Sequence, residues 1–461
     1  MRLSGEIMVM GSLPENVDLA VIGGGVGGYV AAIRASQLGL NVAIAEKDKM
    51  GGHCLNYACI PSKTLIRIAD LFYDMTHSEY FGIKSDGVSI DGQKMYEWRM
   101  DVSKKLERGV EYLCKSNGIE VIKSAATFLS SNKLQLENGE ELDFKKAIIA
   151  TGSEPKELRG FESGGRILDY KSALMMQKIP KSMAIIGAGY VAVETGTLYA
   201  KLGSKVDIIA HSDVLSKFDP DATQLIKKTL LDLGATIHTN TSPSSIDGNI
   251  MKLSNGETLE PEIIVSAIGL APYTEGLGLE NTKVKLDEKG FVIVNKSLQT
   301  SDPNILAVGD VIGDPLLAHK AIRQGGIAAE VAAGRNSAFD NIVIPSVIFS
   351  DPEIAIAGTL AGEGINVKKF PLSALGRAIA LNKTNGFIKI AFDAEERVRG
   401  VEIVSEDANA MISEATLAIE MGATLEDIAD TIHPHPTFSE LMQEVASASL
   451  DRPIHFYYGK K

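Results

Sequence analysis

The chain has 461 residues, of which 45% are hydrophobic and 23% charged, and its formal net charge is −13 with a pI near 5.2. A chain of this length forms about two to four domains with large cores. Its acidic balance argues against nucleic acid or an anionic membrane surface as a partner. The longest apolar runs have only the length of a strand, so we predict no membrane-spanning segment.

Cysteine is rare, since only Cys54, Cys59 and Cys114 are present. Three cysteines in so long a chain argue against a secreted disulfide framework and predict a reducing compartment, the cytoplasm. The first sixteen residues contain no long apolar run, so we expect no signal peptide there.

The segment 17–46 combines strands, a glycine turn and an acid in the order of a dinucleotide-binding unit. In chain order it predicts a strand over 17–22, a glycine turn over 23–28, a helix over 29–38 that Gly39 stops, and a strand over 41–45. Glycines at 23, 25 and 28 let the backbone approach a pyrophosphate, whose charge the helix N-terminus receives. Glu46 ends the second strand, where a carboxylate accepts hydrogen bonds from ribose hydroxyls. We therefore predict a bound dinucleotide here.

The same pattern recurs over 183–210. A strand over 183–186 is followed by Gly187-Ala188-Gly189-Tyr190-Val191-Ala192, by a helix that Gly203 stops, and by a strand over 206–210. Two such units imply two bound nucleotides. The second copy has Ala192 in place of the third glycine, and Ala210 in place of the acid.

Two of the three cysteines, Cys54 and Cys59, lie between these units and are separated by four residues. We predict that they open one helix, which would place the sulfurs about one turn apart and lower the pKa of a thiol at its N-terminus. A redox pair is the favoured interpretation. The alternatives are two buried thiols or half of a zinc site, and the zinc site would need two further ligands although the sequence has no second cysteine pair.

The rest of the chain contributes further buried strands and helices. An amphipathic helix over 103–116 is expected to bury Cys114. Buried strands are predicted over 147–152, 263–269 and 305–310, and the last places Asp310 at a turn where it can meet a ligand hydroxyl.

From about residue 341 the pattern changes to short β-rich runs that alternate with helices. We predict an α+β domain of about 120 residues. One of its helices should begin after a Ser405 cap and end at Gly422. Its buried face should comprise Ala408, Met411, Ile412, Ala415 and Ile419.

Taken together, six segments resemble the class I pyridine nucleotide–disulfide oxidoreductases in order and spacing: GGHCLNYACIPSK at 51–63, GAGYVAVE at 187–194, the ATG turn at 150–152, AVGD at 307–310, LAHKA at 317–321 and HPHPTFSE at 433–440. Within the family, segments 272–280 and 317–321 resemble dihydrolipoamide dehydrogenases. Mercuric reductases and large thioredoxin reductases carry an extra C-terminal redox pair, whereas the last seven residues here contain no cysteine. Soluble transhydrogenases lack one thiol of the pair.

The resemblance implies an α/β fold with two Rossmann-like dinucleotide-binding domains and a C-terminal α+β dimerisation domain. It implies an FAD-binding domain over 17–155 and 274–340, an NAD(P)-binding domain over 156–273 and an interface domain over 341–461. It also implies FAD and either NAD(H) or NADP(H) as cofactors, a homodimer, and no metal. A flavin suits this chemistry because a dithiol and a nicotinamide exchange electrons poorly without a mediator.

The resemblance assigns roles to the catalytic residues. Cys59 lies nearer the flavin, and Cys54 exchanges with the substrate dithiol or disulfide. His435 is the base, Glu440 orients it, and the partner subunit supplies this pair. A structural loop histidine is the alternative for His435, and His433 is interpreted as structural.

An ion pair between Lys63 and Glu194 is implied near flavin N5, where an ammonium stabilises the reduced flavin. Tyr190 either covers the nicotinamide pocket or is a packing aromatic. The expected FAD ligands are Gly23, Gly25, Gly28, Glu46, Gly52, Lys63, Ala126, Thr151, Gly152, Asp310, Leu317, Ala318 and His319. The expected NAD(P) ligands are Gly187, Gly189, Tyr190, Val191, Glu194, His211, Ser212 and Gly269.

Three segments depart from the family pattern: His53 replaces a usual threonine, Tyr57-Ala58 replaces Val-Gly, and Leu270-Ala271 replaces a commonly basic pair. The leading hypothesis is reoxidation of dihydrolipoamide, free or protein-bound. A second is NADPH-dependent reduction of a small disulfide, as in glutathione reductases. A third is a flavin-bearing structural subunit, against which the intact Cys54, Cys59, His435 and Glu440 set argues.

We predict relaxed nucleotide specificity, with NADP(H) accepted at least comparably to NAD(H). An acid at position 210 would repel a 2′-phosphate, but here the residue is Ala210, while His211 and Ser212 can hydrogen-bond one. Ala210→Glu should shift the preference towards NAD by about 1–3 kcal/mol, measured as the ratio of kcat/KM values. A wild-type protein that rejected NADP(H) a thousandfold would contradict this prediction.

Overall fold

The computed structural model describes residues 16–158, 160–161 and 164–459. The chain divides into two compact units. Among the described residues, the first comprises 16–59, 103–154 and 270–339, and the second comprises 60–102, 155–158, 160–161, 164–269 and 340–459. The N-terminal segment discussed above lies outside the described residues, apart from Asn16.

The N-terminal third of the chain contains the first parallel sheet. Its elements are β1 (Asn16–Ile22), α1 (Val26–Gln37), β2 (Val42–Ala45), α2 (Gly52–Asn56), α3 (Cys59–Thr76), α4 (Gly92–Ser116), β3 (Glu120–Ile122), β4 (Ala126–Ser130), β5 (Lys133–Leu136), β6 (Glu141–Ile149) and β7 (Ser153–Pro155). The strand order is β3-β2-β1-β6-β5-β4. Strands β3, β2, β1 and β6 are parallel, whereas β5 runs antiparallel to both β6 and β4. As predicted, Cys114 is buried within α4.

The middle of the chain repeats the strand–turn–helix–strand order. Its elements are β8 (Ile167–Asp169), α5 (Tyr170–Ala173), β9 (Ser182–Ile186), α6 (Tyr190–Lys201), β10 (Lys205–Ile209), α7 (Pro220–Asp232), β11 (Thr236–His238), β12 (Pro243–Asp247), β13 (Ile250–Leu253), β14 (Thr258–Leu259), β15 (Ile263–Ser266) and β16 (Leu270–Pro272). The parallel sheet has the order β11-β10-β9-β15-β8. Helix α6 packs against β9 and β10, as α1 packs against β1 and β2.

The last third begins with elements of the first sheet and ends in an antiparallel sheet. Its elements are β17 (Ile305–Ala307), α8 (Ala318–Ala332), β18 (Ser346–Ile348), β19 (Glu353–Gly358), β20 (Asn366–Pro371), α9 (Gly376–Ala380), β21 (Phe387–Phe392), β22 (Val398–Ser405), α10 (Ala408–Met421), α11 (Leu425–Ala429) and α12 (Glu440–Ser449). Strand β17 pairs with β6, and α8 packs on α1. The antiparallel order is β18-β19-β22-β21-β20.

The architecture confirms the predicted α/β class, while several helix starts were wrong. Helix α1 begins at Val26 rather than at 29, and α4 begins at Gly92 rather than at 103. Helix α10 buries all five predicted residues and ends at Gly422, whose φ is +68°. Its N-cap is Asp407, because Ser405 is instead the last, fully buried residue of β22. The predicted domain boundaries stay a prediction.

Glu402 is a fully buried carboxyl on β22 and generates a prediction about pH. Burial raises its pKa from 4.5 to about 8, and Asp219 contributes to the rise while Lys389 opposes it. Between these two values the unfolded chain releases a proton that the folded chain keeps, so folding stability falls as the pH rises.

We expect Glu402→Gln to remove this fall, which amounts to at most about 1.4 kcal/mol per pH unit. Thermal unfolding midpoints measured across this pH range would show a flatter profile than the wild type. The control is Glu395→Gln, since Glu395 is exposed. An unchanged pH profile for Glu402→Gln would contradict the assignment.

Candidate active site

The first glycine turn is shaped by close backbone contacts. Gly23 has φ +102°, and a Cβ there would lie 2.5 Å from the carbonyl oxygen of Ala150. A Cβ on Gly28 would lie 1.9 Å from the oxygen of Gly23, whereas a Cβ on Gly25 would enter open space. Packing within the protein therefore requires Gly23 and Gly28. The open space at Gly25, at the N-terminus of α1, fits a bound pyrophosphate.

The thiol-bearing segment crosses this turn at Gly51 and Gly52. The Gly51 N–H donates to Gly24 O at 2.8 Å. Gly52 has φ +57°, and a Cβ on it would lie 2.7 Å from the Cα of Gly25. A side chain at position 52 would therefore be strained by the backbone angle and would also collide with the glycine turn. Cys54 follows two residues later.

The two cysteines lie on successive helices, so the prediction of a single helix was wrong. Cys54 is the third residue of the short α2, and Cys59 is the first residue of α3. Tyr57 ends α2 with φ −132°, outside the helical region. The predicted helix N-terminus is present for Cys59. Both cysteines are half-buried.

Asn56 holds the segment that leads to Cys54 and was missed by the sequence analysis. This buried residue donates from its side-chain amide to Met50 O at 3.0 Å and to Gly52 O at 3.1 Å. The hydroxyl of Ser103 on α4 donates to Leu55 O at 3.1 Å. A short amide between two redox cysteines is a signal that could have identified Asn56, because such side chains close turns through local hydrogen bonds.

Two carboxylates lie at turns that follow strands of the first sheet. Glu46 follows β2, where burial raises its pKa, while the N–H groups of Asp48 and Gly24, at 2.8 and 2.6 Å, oppose the rise. Asp310 follows β17, and burial raises its pKa although the Ser153 hydroxyl donates to it at 2.7 Å. Both positions suit carboxylates that accept from ligand hydroxyls.

The other residues predicted to bind FAD have the following places. Ala126 is buried at the start of β4, opposite Leu136. The Thr151 hydroxyl donates to Tyr273 O at 2.7 Å, and Gly152 has φ +73°. The remaining three lie at the start of α8: the N-cap Leu317 and the first two residues Ala318 and His319.

The second glycine turn repeats the geometry of the first at two of three positions. A Cβ on Gly187 would lie 2.3 Å from Ala267 O, and a Cβ on Gly189 would enter open space. Ala192, at the third position, is completely buried in the core that α6 shares with β9 and β10. The turn therefore retains the open position at a helix N-terminus that a second dinucleotide needs.

Three further residues predicted to bind the nicotinamide nucleotide border this turn. Tyr190 and Val191 are the first residues of α6, and the Tyr190 side chain is 40% exposed. Gly269 follows β15 with φ +108°. Both interpretations of Tyr190, as a cover of the nicotinamide pocket and as a packing aromatic, stay predictions.

The residues that follow β10 differ in exposure. Ala210 is fully buried, whereas His211 and Ser212 are exposed. Asp213, next along the chain, pairs with Lys227 at 2.8 Å, and this contact lowers the pKa of Asp213. The exposed imidazole and hydroxyl are therefore the groups available to a ribose or its phosphate. Because position 210 is fully buried, a glutamate there has to displace its packed neighbours. The unfolding midpoint of Ala210→Glu should therefore be measured together with its preference for NAD or NADP.

The predicted pair between Lys63 and Glu194 is present. Lys63 Nζ lies 2.8 Å from Glu194 Oε2, and the N–H of Phe349 donates to Oε1 at 2.9 Å. The Glu194 side chain is only 8% exposed, so both oxygens are satisfied in a dry environment. Lys63 also lies 4.3 Å from the ring centroid of Phe349. Sequence reasoning missed Phe349 because it contributes through its backbone.

His435 and Glu440 form the predicted pair near the C-terminus. Nδ1 of His435 lies 2.8 Å from Glu440 Oε1, and the Thr437 N–H donates to Oε2 at 2.8 Å. Burial of Glu440 opposes its ionisation, but the hydrogen bonds from His435 and Thr437 outweigh it and lower its pKa. The side chain of His435 is 77% exposed, against 16% for Glu440. The carboxylate is thus fixed and charged, while the imidazole faces outward.

His433 differs from His435 in its surroundings. Its ring nitrogens lie 2.9 Å from Thr431 O and 2.9 Å from Glu414, and its side chain is 4% exposed. Its ring is thus held by hydrogen bonds within the protein, as expected of a structural histidine. Over residues 16–158, 160–161 and 164–459, no group of three His, Cys, Asp or Glu is arranged to hold a metal. No helix in the same ranges is long and apolar enough to cross a membrane.

Comparisons with known proteins match both parts of this description. The profile of the pyridine nucleotide-disulphide oxidoreductase family matches residues 17–325, and the profile of that family's dimerisation domain matches residues 344–446. The chain belongs to the pyridine nucleotide-disulphide oxidoreductase family. The predicted family and fold, including the C-terminal dimerisation domain, are confirmed, and the domain supports a homodimer.

Curated relatives cover nearly the whole chain. A dihydrolipoyl dehydrogenase from Geobacillus stearothermophilus is 44% identical over 466 residues, covering 97% of this chain and 99% of the relative. Dihydrolipoyl dehydrogenase 2 from Haloarcula marismortui is 38% identical, covering 97% and 100%. The family member described here is therefore an FAD-dependent disulfide oxidoreductase that uses a nicotinamide nucleotide, as predicted.

Solved structures agree in fold. LpdA from Mycobacterium tuberculosis superposes with a TM-score of 0.88 at 25% identity, covering 94% of this chain and 100% of LpdA. The HOCl-induced flavoprotein disulfide reductase RclA from Escherichia coli gives a TM-score of 0.85 at 26% identity, covering 93% and 99%. Such likeness leaves the disulfide substrate open, because one fold serves several substrates.

The space at Gly25 leads to a prediction about FAD. Gly25→Ala should fold normally, since its φ of −66° suits alanine and its Cβ would meet nothing within 4 Å. If a pyrophosphate occupies that space, the variant should retain FAD at least about tenfold more weakly, equivalent to about 1.4 kcal/mol. The control is Gly109→Ala, at an exposed position of α4 where a Cβ also meets nothing. Equal flavin retention by both variants after dialysis would refute the placement.

Proposed function

We propose that the chain is a dihydrolipoyl dehydrogenase that reoxidises dihydrolipoamide, free or protein-bound, with FAD and NAD(P)⁺. The observation that carries the proposal is the close approach of Gly52 to Gly25, where a Cβ added to Gly52 would lie 2.7 Å from the Gly25 Cα. This approach joins the thiol-bearing turn to a nucleotide-binding turn. Relatives that are 38–44% identical over almost the entire chain are dihydrolipoyl dehydrogenases, which supports the dithiol substrate.

In this proposal Cys54 and Cys59 carry electrons through thiol–disulfide exchange. A substrate thiolate attacks the Cys54 sulfur of the Cys54–Cys59 disulfide, which forms a mixed disulfide and releases Cys59 as a thiolate. The second substrate thiol then attacks the substrate sulfur of that mixed disulfide, which closes the lipoamide disulfide and releases Cys54. Bound FAD would supply the two-electron step between this dithiol and NAD(P)⁺.

His435 takes the proton of the attacking substrate thiol in this scheme. Glu440 accepts from Nδ1 at 2.8 Å, which fixes the tautomer in which Nε2 is the base. The carboxylate also stabilises the imidazolium once the proton has moved. We propose further that the pair serves the thiols of the partner subunit, so that the dimer contains the complete site.

Lys63 provides fixed positive charge in the proposal. Its ammonium, held by Glu194 at 2.8 Å, would stabilise negative charge on the reduced flavin. The glycine turns at Gly25 and Gly189 would hold the pyrophosphates of FAD and of the nicotinamide nucleotide, and Glu46 and Asp310 would accept from hydroxyls of FAD. We propose that the other residues predicted above as ligands of FAD or of NAD(P) bind those cofactors.

The proposal also includes the domain boundaries and the cellular location. We propose the FAD-binding domain over 17–155 and 274–340, the NAD(P)-binding domain over 156–273 and the interface domain over 341–461. A cytoplasmic location remains a prediction from the cysteine content.

NADPH-dependent reduction of a small disulfide is the second candidate function. The absence of an acid at position 210, where the residue is Ala210, favours it.

Side-by-side assays distinguish the candidates. Lipoamide, glutathione disulfide and thioredoxin would each be tested with NAD(H) and with NADP(H). The proposal expects the highest kcat/KM with lipoamide and its dithiol. A higher kcat/KM for glutathione disulfide with NADPH would overturn the proposal in favour of the second candidate.

His435→Gln should retain FAD and lose about 10²–10⁴-fold in lipoamide turnover, the usual contribution of a general acid–base group. Glu440→Gln should lose less, because it leaves the imidazole in place. The structural His433→Gln is a matched control and should keep its turnover. Near-normal turnover by His435→Gln would remove His435 from the mechanism.

Mixed dimers test whether the site is shared between subunits. Cys54→Ser and His435→Gln chains are each expected to be inactive alone. In a heterodimer, one of the two sites would combine an intact Cys54 with an intact His435. We therefore expect mixing after dissociation to restore up to half of the wild-type activity per heterodimer, and no recovery would contradict a shared site.

A further inference from the structure

Helices α3 and α6 are joined by two ion pairs that repeat at the same spacing on both helices. Lys63 of α3 pairs with Glu194 of α6 at 2.8 Å. Seven residues further along each helix, Asp70 of α3 pairs with Lys201 of α6 at 2.6 Å. Seven residues are about two helical turns, so both pairs lie along the same helix faces. The charges are exchanged between the pairs: α3 supplies the cation of the first pair and the anion of the second.

One loop, between β18 and β19, holds both pairs from a third direction. The Phe349 N–H donates to Glu194 at 2.9 Å, and two residues later Asp351 lies 2.6 Å from Lys201 Nζ. Each pair is thus a three-part contact among α3, α6 and this loop. The relative position of the two helices is fixed at two levels rather than at one.

Lys201 is the most deeply buried member of the two pairs. The Lys201 side chain is 5% exposed, and burial opposes its charge, but Asp351 and Asp70 outweigh this effect and raise its pKa. Lys201 is therefore charged and dry, and it has no solvent-exposed alternative to its two carboxylates. Removal of Lys201 would leave the Asp70 and Asp351 carboxylates facing each other without their shared cation, which favours a shift of the helices or the loop.

We propose that Lys201 is a positioning residue that sets the location of the Lys63 ammonium, and through it the reduction potential of the bound flavin. Lys201 acts on Lys63 through the shared partners α3, α6 and the 349–351 loop. The inference rests on the proposed role of Lys63 at the flavin. It assigns a redox consequence to a buried ion cluster that would otherwise serve stability alone.

The experiment compares Lys201→Met, Lys63→Met and the double variant in the flavin-loaded protein. The reduction potential of the bound flavin is measured by equilibration with a reference dye, alongside the unfolding midpoint. Lys63→Met should lower the potential. Lys201→Met should shift it in the same direction by at least half as much, and Lys201→Arg should restore most of the wild-type value.

The matched control is Lys389→Met. Lys389 is also a largely buried lysine between two carboxylates, with its side chain 12% exposed, Asp219 at 2.7 Å and Asp221 at 2.8 Å, but it lies on β21 and contacts neither α3 nor α6 in these pairs. It should lower the unfolding midpoint without changing the potential. If Lys201→Met does not fold, Lys201→Met combined with Asp351→Asn removes one charge of each sign and carries the same expectation.

The double variant separates positioning from independent effects. If Lys201 acts through Lys63, then Lys201→Met should add no further shift in the Lys63→Met background. Additive shifts, or a wild-type potential in Lys201→Met alongside a lowered one in Lys63→Met, would overturn the inference and leave the proposed function intact. An unchanged potential in Lys63→Met would instead overturn the proposed role of Lys63, and this inference with it.

Discussion

The close approach of two glycine backbones determines where the reactive part of the first unit lies. A Cβ on Gly52 would reach 2.7 Å from Gly25 Cα, and the Gly51 N–H donates to Gly24 O. No side chain fits between these segments, so the turn that leads to Cys54 is held against the turn that begins α1. The open space at Gly25 remains available to a ligand, because the contact uses the other side of the glycine backbone.

Helix α3 is also held in place by specific contacts, here by ion pairs. It begins at Cys59 and carries Lys63 and Asp70 on one face, where α6 and the loop before β19 hold them. The two ion pairs are partly buried, and the cation comes from α3 in one pair and from α6 in the other, so sliding of α3 along α6 by two turns would bring like charges together. Such an arrangement specifies one register and excludes the shifted one, which is the best-attested use of buried charge.

The acid–base pair of His435 and Glu440 leaves one of its two members largely exposed. His435 is mostly exposed, while its partner Glu440 is mostly buried and also bound by the Thr437 N–H. A fixed carboxylate with an outward imidazole suits a group that must meet a reacting atom outside its own element. Both residues lie within residues 344–446, the range that matches the family's dimerisation domain.

The sequence by itself determined the fold class, the two glycine turns, the thiol pair and the His435–Glu440 pair. These features depend on short-range order: a strand, a glycine turn and a helix follow one another within about 30 residues, and five residues connect the histidine to its acid. The buried face of α10 was predictable for the same reason, since helical periodicity alone selects it. The family resemblance added the pairing of Lys63 with Glu194, which are far apart in the chain.

Only the tertiary structure decided the features that depend on groups distant in sequence or on the backbone. The break between α2 and α3 lies at Tyr57, whose φ of −132° leaves the helical region. The hydrogen bonds from Asn56 to Met50 and Gly52 fix the segment that leads to Cys54. The partners of Glu194 and Lys201 include a backbone N–H and a loop carboxylate about 150 residues away, which no periodicity reveals. Burial of Ala210 beside the exposed His211 likewise follows from packing around the second sheet. Local pattern specifies elements, whereas desolvation and long-range hydrogen bonding decide which of their side chains act together.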